Sequence, residues 1–235
     1  VKKYARFRAR LRERVAGKIL HRWGEEKSRL GVQTMQRPER DAIIPGSSIK
    51  GAIRTALLWS AIRGQMEHFP INDFEVARWE RRRLGARSES IQDDPLRWLK
   101  VSDAVASEVR TWILDGEHVG MTTKNGKDAD IQDYRECLPD PDLAGKPYTI
   151  TARLSIVEAG RPEFAGSNLR LSAANILKSC RDFYQQVIQS ERDYWRGDDE
   201  LLQVYDELEQ RLKEAPDGAL IRLGWGCGAD SVSLN

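Results

Sequence analysis

Five residues of types that bind phosphate lie within nine positions: Gly46, Ser47, Ser48, Lys50 and Arg54, in the run "AIIPGSSIKGAIRTALL" from Ala42 to Leu58. An apolar, strand-like stretch meets a Pro-Gly turn, and a helical pattern follows. Ser47 or Ser48 is placed to cap that helix, its hydroxyl accepting from an orphan backbone N–H. The remaining N–H groups and the helix dipole favour an anion. Lys50 and Arg54 stand four residues apart and so share a face, while Ile49, Ile53 and Leu57 take the opposite face towards a core. Two cations and a ring of N–H donors can therefore converge on one phosphate. The same residues also describe an ordinary capped helix with solvated cations, and spacing alone leaves both readings open.

A second loop, "LGWGCG", carries Gly224, Trp225, Gly226 and Gly228. Three glycines in five positions allow a backbone to approach another group closely. Trp225 could stack on a base, as in single-strand binders, or fill a core beside a tight turn. Other chemistry finds less support. Gly46 and Gly51 have Walker A spacing, but Ala52-Ile53 follow where the phosphate-reaching lysine and the magnesium-binding hydroxyl belong. His21, His68 and His118 share no metal-ligand spacing with each other or with the cysteines. There is no nucleophile elbow and no zinc-protease motif. Asp41, Asp103 and the pair Asp93-Asp94 read as caps or loop residues. No catalytic residue, metal or cofactor is expected.

These loops need elements to hold them. Tyr4, Phe7, Leu11, Val15 and Ile19 trace one face of a helix, with arginines over the rest. "QRPERD" is a loop ahead of the first motif. "LRWLKVSDA" and "EVRTWILDGE" read as strands, and "TTKNGKDAD" as a hairpin tip or loose loop. "YTITARLSI" is the clearest strand: Tyr148, Ile150, Ala152, Leu154 and Ile156 point to a buried face and the residues between them to an open one. A long helix carries Ala173, Ile176, Leu177, Cys180, Phe183, Tyr184, Val187, Ile188 and Tyr194 as its apolar stripe. A second carries Leu201, Val204, Tyr205, Leu208 and Leu212 and ends at "PDG". "ALIRLGWGCG" reads as a last strand entering the glycine loop. One-sided strands backed by amphipathic helices make an α+β fold with antiparallel sheets.

The chain has 235 residues, room for one large or two small domains. No apolar run approaches the roughly 20 residues that span a bilayer, and no signal-peptide h-region follows the basic start. Three distant cysteines suit a reducing compartment, so a cytoplasmic location is expected. The chain starts at Val1 rather than Met, and further residues are expected beyond both ends. Net charge is only +2, yet residues 1–30 hold eleven Lys and Arg against three Glu, "RWERRRLGAR" is a second basic cluster around Trp79, and residues 190–217 are acidic. Such asymmetry is the footprint of a polyanion partner, or of merely solvated helix faces.

"IIPGSSIKGAIRTALL" resembles the signature of the RAMP proteins of CRISPR–Cas type III effectors, and "IRLGWGCG" resembles their glycine-rich loop. "VSDA", "YRECLPD" and "CRDFYQQVIQSE" make the resemblance narrower, to the type III-A (Csm) subunit that caps the crRNA 3′ end. It covers roughly residues 40–235. The resemblance implies two ferredoxin-like (RRM-like) units, here 1–145, incomplete at its start and carrying mobile insertions, and 146–235, carrying the glycine-rich loop. It implies a non-catalytic crRNA-binding role in antiviral defence and crRNA maturation. Gly46, Ser47, Ser48, Lys50, Arg54, Gly224, Trp225, Gly226 and Gly228 match the two RNA-contacting signatures. Implied partners are the 3′ portion of crRNA, target RNA in the assembled complex, a neighbouring backbone RAMP subunit, a small helical subunit and host nucleases, with no membrane. Two departures stand out: the family's first strand is not visible, and "ADSVSLN" replaces the apolar and basic residues expected after the second loop. The alternatives are a backbone-type RAMP subunit that cuts target RNA with a metal-bound aspartate, for which Asp41 is the only nearby residue, and a type III-B RAMP subunit.

Overall fold

The computed structural model describes residues 10–11, 13–26, 31–38, 40–64, 73–86, 88, 91–107, 109–117, 132–140, 144–157 and 171–224. In chain order they form β1 (Arg10–Leu11), α1 (Glu13–Glu26), β2 (Val32–Gln33), β3 (Ala42–Ile44), α2 (Gly46–Ile62) and α3 (Asp73–Arg83). Then come β4 (Leu99–Val101), β5 (Ala104–Ala106), β6 (Trp112–Glu117), β7 (Gln132–Cys137), β8 (Leu154–Ile156), α4 (Ala173–Tyr194) and α5 (Asp199–Glu214). The fold is α+β. Contacts group the chain into two interleaved units, one of Val1–Pro45 with Asp103–Ala152, the other of Gly46–Ser102 with Arg153–Asn235.

In the first unit, β6 and β7 pair antiparallel from Trp112↔Cys137 to Glu117↔Gln132. β1 adds parallel to β6 and β2 parallel to β7, giving the order β1-β6-β7-β2. β3 pairs antiparallel with β5 as a separate ribbon. Val15 of α1 is buried, and Lys18 Nζ reaches Asp115 Oδ2 on β6 at 2.5 Å. Leu11, expected on a helix face, is in a strand. The reason is visible in "ARFRARLR" (residues 5–12), where apolar residues and arginines alternate strictly, the period of a strand. A first strand therefore does precede α1.

The second unit is built on two helices. Ile49, Ile53 and Leu57 of α2 are buried at 7%, 3% and 0% exposure, as their spacing requires. They pack along α4, where Phe183 meets Trp59 at 5.7 Å between ring centroids. Helix α4 opens on Ser172, whose hydroxyl accepts from the Asn175 amide, and buries Ile176, Cys180, Phe183, Tyr184, Val187 and Ile188. Leu177 and Tyr194 of the expected stripe are exposed. Helix α5 opens on Asp198, which accepts from Leu201 N at 3.1 Å. Its far end is held by Arg181 of α4, which donates to the carbonyls of Leu212, Ala215 and Gly218 at 2.6, 2.9 and 2.9 Å. That places a cation on the negative end of the α5 dipole.

Three strand expectations change. "LRWLKVSDA" is a 3-10 turn, Pro95–Trp98, followed by β4 and β5, which belong to different sheets. Pro95 has no N–H to give a ladder, so strand pairing begins after it. Of "YTITARLSI" only Leu154–Ile156 is a strand, paired antiparallel with β4. Residues 148–152 keep the alternating exposure of a strand but join no ladder among the described residues, and Leu154, expected inside, is 45% exposed. Among the described residues, 219–223 join no strand ladder, so this stretch is not the strand expected.

Candidate nucleic-acid interface

Helix α2 begins at Gly46, directly after Pro45, so Ser47 and Ser48 lie inside its first turn and neither is the cap expected from the sequence. Both are exposed. The first N–H groups of a helix have no partner within it, so the exposed Ser47 and Ser48 offer hydroxyls and amides together at the positive end of the dipole. Gly46 has a structural reason of its own. A Cβ there would stand 2.3 Å from the Val101 carbonyl oxygen and 2.8 Å from the Ser102 carbonyl carbon and oxygen. The start of α2 thus abuts the end of β4, and only glycine permits it.

That approach brings β4 into the site. Lys100 is exposed on β4, close enough to Lys50 for their charges to interact. Burial first, then the Lys100 charge, pulls the Lys50 ammonium below its ordinary pKa; Asp94 opposes this and Arg54 adds to it. Lys50 therefore sits in an excess of positive charge that a bound anion would relieve. Sequence reasoning missed Lys100, because only the packing of β4 against α2 brings residues fifty positions apart together.

Arg54 is differently placed. Its Nη1 donates to Asp94 Oδ2 at 2.8 Å, and its Nε lies 3.4 Å from Glu80 Oε2. Asp94 also caps the 3-10 turn by accepting from Leu96 N at 2.9 Å. The two cations expected to converge on one phosphate are thus unequal. Lys50 makes no ion pair among the described residues, whereas Arg54 is braced by two carboxylates that fix the direction of its fork. Among the described residues Nη2 of Arg54 makes no hydrogen bond.

Of the second loop, only Gly224 is described: it is exposed and has φ +103°, the left-handed region that favours glycine. Trp225, Gly226 and Gly228 lie outside the described residues. So does the expected hairpin tip "TTKNGKDAD". Asp41 is exposed in the bend before β3. Among the described residues no three His, Cys, Asp or Glu side chains are grouped to hold a metal, and no helix is long and apolar enough to cross a membrane.

The sequence model of the RAMP superfamily matches residues 31–231, most of the chain, and the protein belongs to that superfamily. Among solved structures, a chain of the cryo-EM Csm-crRNA-target RNA ternary complex of a type III-A CRISPR-Cas system shares its fold. The TM-score is 0.51 at 19% identity, over 83% of this chain and 60% of that one. The protein thus spans about three-fifths of that chain's length. The crystal structure of T. onnurineus Csm5 matches at TM-score 0.49 and 15% identity, over 92% of this chain and 74% of that one. No curated protein matches the chain.

Proposed function

We propose that this protein is a crRNA-binding subunit of a type III CRISPR effector, and within that class the type III-A subunit that caps the crRNA 3′ end without cutting RNA. The carrying observation is the exposed first turn of α2, with Ser47, Ser48 and Lys50, lying within the RAMP-matched region beside Lys100. Superfamily membership and a fold shared with a chain of a Csm-crRNA-target RNA complex support it. In this reading the serine hydroxyls and amides of the turn take one phosphate, Lys50 and Lys100 neutralise it, and Arg54 offers Nη2 to the next. Such contacts ignore base identity and hold any guide sequence. Gly224, Trp225, Gly226 and Gly228 form a second contact. The partners are the crRNA 3′ portion, target RNA, a backbone RAMP subunit, a small helical subunit and host nucleases, in the cytoplasm.

The test is retention of crRNA in the purified effector after Lys50→Ala with Lys100→Ala. Removing two phosphate contacts is expected to weaken retention roughly tenfold near physiological salt, equally for unrelated guides. Retention that is unchanged, or altered for one guide sequence only, contradicts the assignment.

A further inference from the structure

We infer that the RNA path does not end at α2 but continues onto the arginines that close α3. This extends the reading above and rests on it. Arg81, Arg82 and Arg83 occupy the last turn of α3. One cation there would merely complement the helix dipole. Three consecutive residues fan over about 200° of the helix circumference, so they cannot all serve the same terminal carbonyls.

The structure shows what ties this cluster to α2. Glu80, the acid inside the run, faces Arg54, 3.4 Å away, and so joins the two helices. On the other side of Arg54, Asp94 leads into the 3-10 turn that carries Arg97. Lys100, Lys50, Arg54, Arg97 and the three α3 arginines thus belong to one stretch of the second unit, with Glu80 and Asp94 both committed to Arg54. The same stretch also carries the exposed carboxylates Glu75 and Asp93.

The arginines are also prepared for phosphate. The Arg83 guanidinium carbon lies 5.8 Å from the centroid of the buried Trp79 ring; that of Arg97 lies 4.9 Å from the Trp98 ring, with its Nη1 donating to the Gln92 carbonyl. A guanidinium held over an indole has little rotamer freedom left to lose. Arg82 is exposed, and the Nε of Arg81 is enclosed with no hydrogen-bond partner among the described residues. Phosphate oxygens accept from guanidinium N–H groups in pairs; with its Nε enclosed, Arg81 would use its terminal nitrogens. A sugar–phosphate chain leaving the first turn of α2 would meet them next.

The experiment measures binding of fluorescein-labelled single-stranded RNA to the full chain by anisotropy, from about 50 to 200 mM salt. Oligouridine and an unstructured mixed sequence of equal length are the probes. Arg81→Ala with Arg82→Ala leaves Arg83 on its tryptophan. It is expected to make the slope of log K against log salt shallower by about 1.4, two phosphates at about 0.7 each, for both RNAs. Arg81→Lys with Arg82→Lys, which keeps the charge, is expected to restore the slope. If the alanine pair binds with the unaltered slope while Lys50→Ala lowers it, the inference fails and the proposed function stands. If the alanine pair loses binding of polyglutamate but not of RNA, the patch serves an acidic protein and the inference is overturned. If the unaltered chain binds neither RNA, both fall together.

Discussion

Glu136→Ala is expected to destabilise the protein by about 3–5 kcal/mol, because it strands a buried arginine. The Glu136 side chain on β7 is fully enclosed and that of Arg37 is 9% exposed. Arg37 reaches both carboxylate oxygens through its two terminal nitrogens, one contact at 2.5 Å, and also donates to Thr111 Oγ1 at 3.2 Å. The Thr111 hydroxyl and the Met35 amide complete the shell of Glu136. Together these bonds fasten residues 35–37, the segment leading towards β3, to the middle of the sheet. The loss should appear in chemical denaturation as a lower midpoint with an unchanged slope. Replacing both partners, Arg37→Met with Glu136→Leu, should cost less than Glu136→Ala alone, since no unpaired charge remains. Burial alone would raise the Glu136 carboxyl, but the bonds from Arg37, Thr111 and Met35 outweigh it and hold the pKa below the ordinary value. The ionised group therefore stabilises fully above the unfolded value of about 4.3, and that contribution is lost as pH falls through the lower folded value. Glu136→Gln should show a shallower loss of stability on acidification.

Gly46→Ala and Gly51→Ala should move stability in opposite directions, although both glycines belong to the same motif. At Gly46 the new methyl meets backbone atoms of Val101 and Ser102 at 2.3 and 2.8 Å, and backbone cannot swing aside as a side chain can. Forcing α2 and β4 apart is expected to cost about 1–3 kcal/mol. A chain of this size should melt some 2–4 °C lower for each kcal/mol. A methyl at Gly51 meets nothing within 4 Å, and the residue is exposed within the helix. There alanine should stabilise by about 0.5–1 kcal/mol by reducing the freedom of the unfolded chain. Thermal melts of the two variants side by side decide it: equal shifts would mean that the close approach of α2 to β4 is wrong.

What the sequence showed well was local and strongly periodic. The apolar stripes of α4 and α5 located both helices, and the buried face of α2 came out as Ile49, Ile53 and Leu57. What it hid depended on partners distant in the chain. Leu11 fits a helical spacing with Val15 and Ile19 and equally an alternation with Phe7; the pairing of β1 with β6, a hundred residues away, decides between them. "YTITARLSI" has strand period throughout, but among the described residues its pairing with β4 covers only Leu154–Ile156, with one backbone bond beyond it at Arg153 and one at Val157. Ser47 and Ser48 looked like caps because serine suits that place; Pro45 starts the helix earlier and moves them inside. Asp94 and Glu80 were invisible as partners of Arg54 because they lie 40 and 26 residues away from it. The helix that carries the expected residues was thus legible, and which of its cations meets a carboxylate was not.

The most direct measurement places the RNA itself. The effector is assembled on a guide carrying 4-thiouridine near its 3′ end, irradiated, and the crosslinked peptides of this chain are mapped by mass spectrometry. A phosphate cradle at the start of α2 predicts crosslinks within residues 46–54, reduced by Lys50→Ala with Lys100→Ala. Recovery of that peptide unmodified, with every crosslink falling elsewhere on the chain, would contradict it.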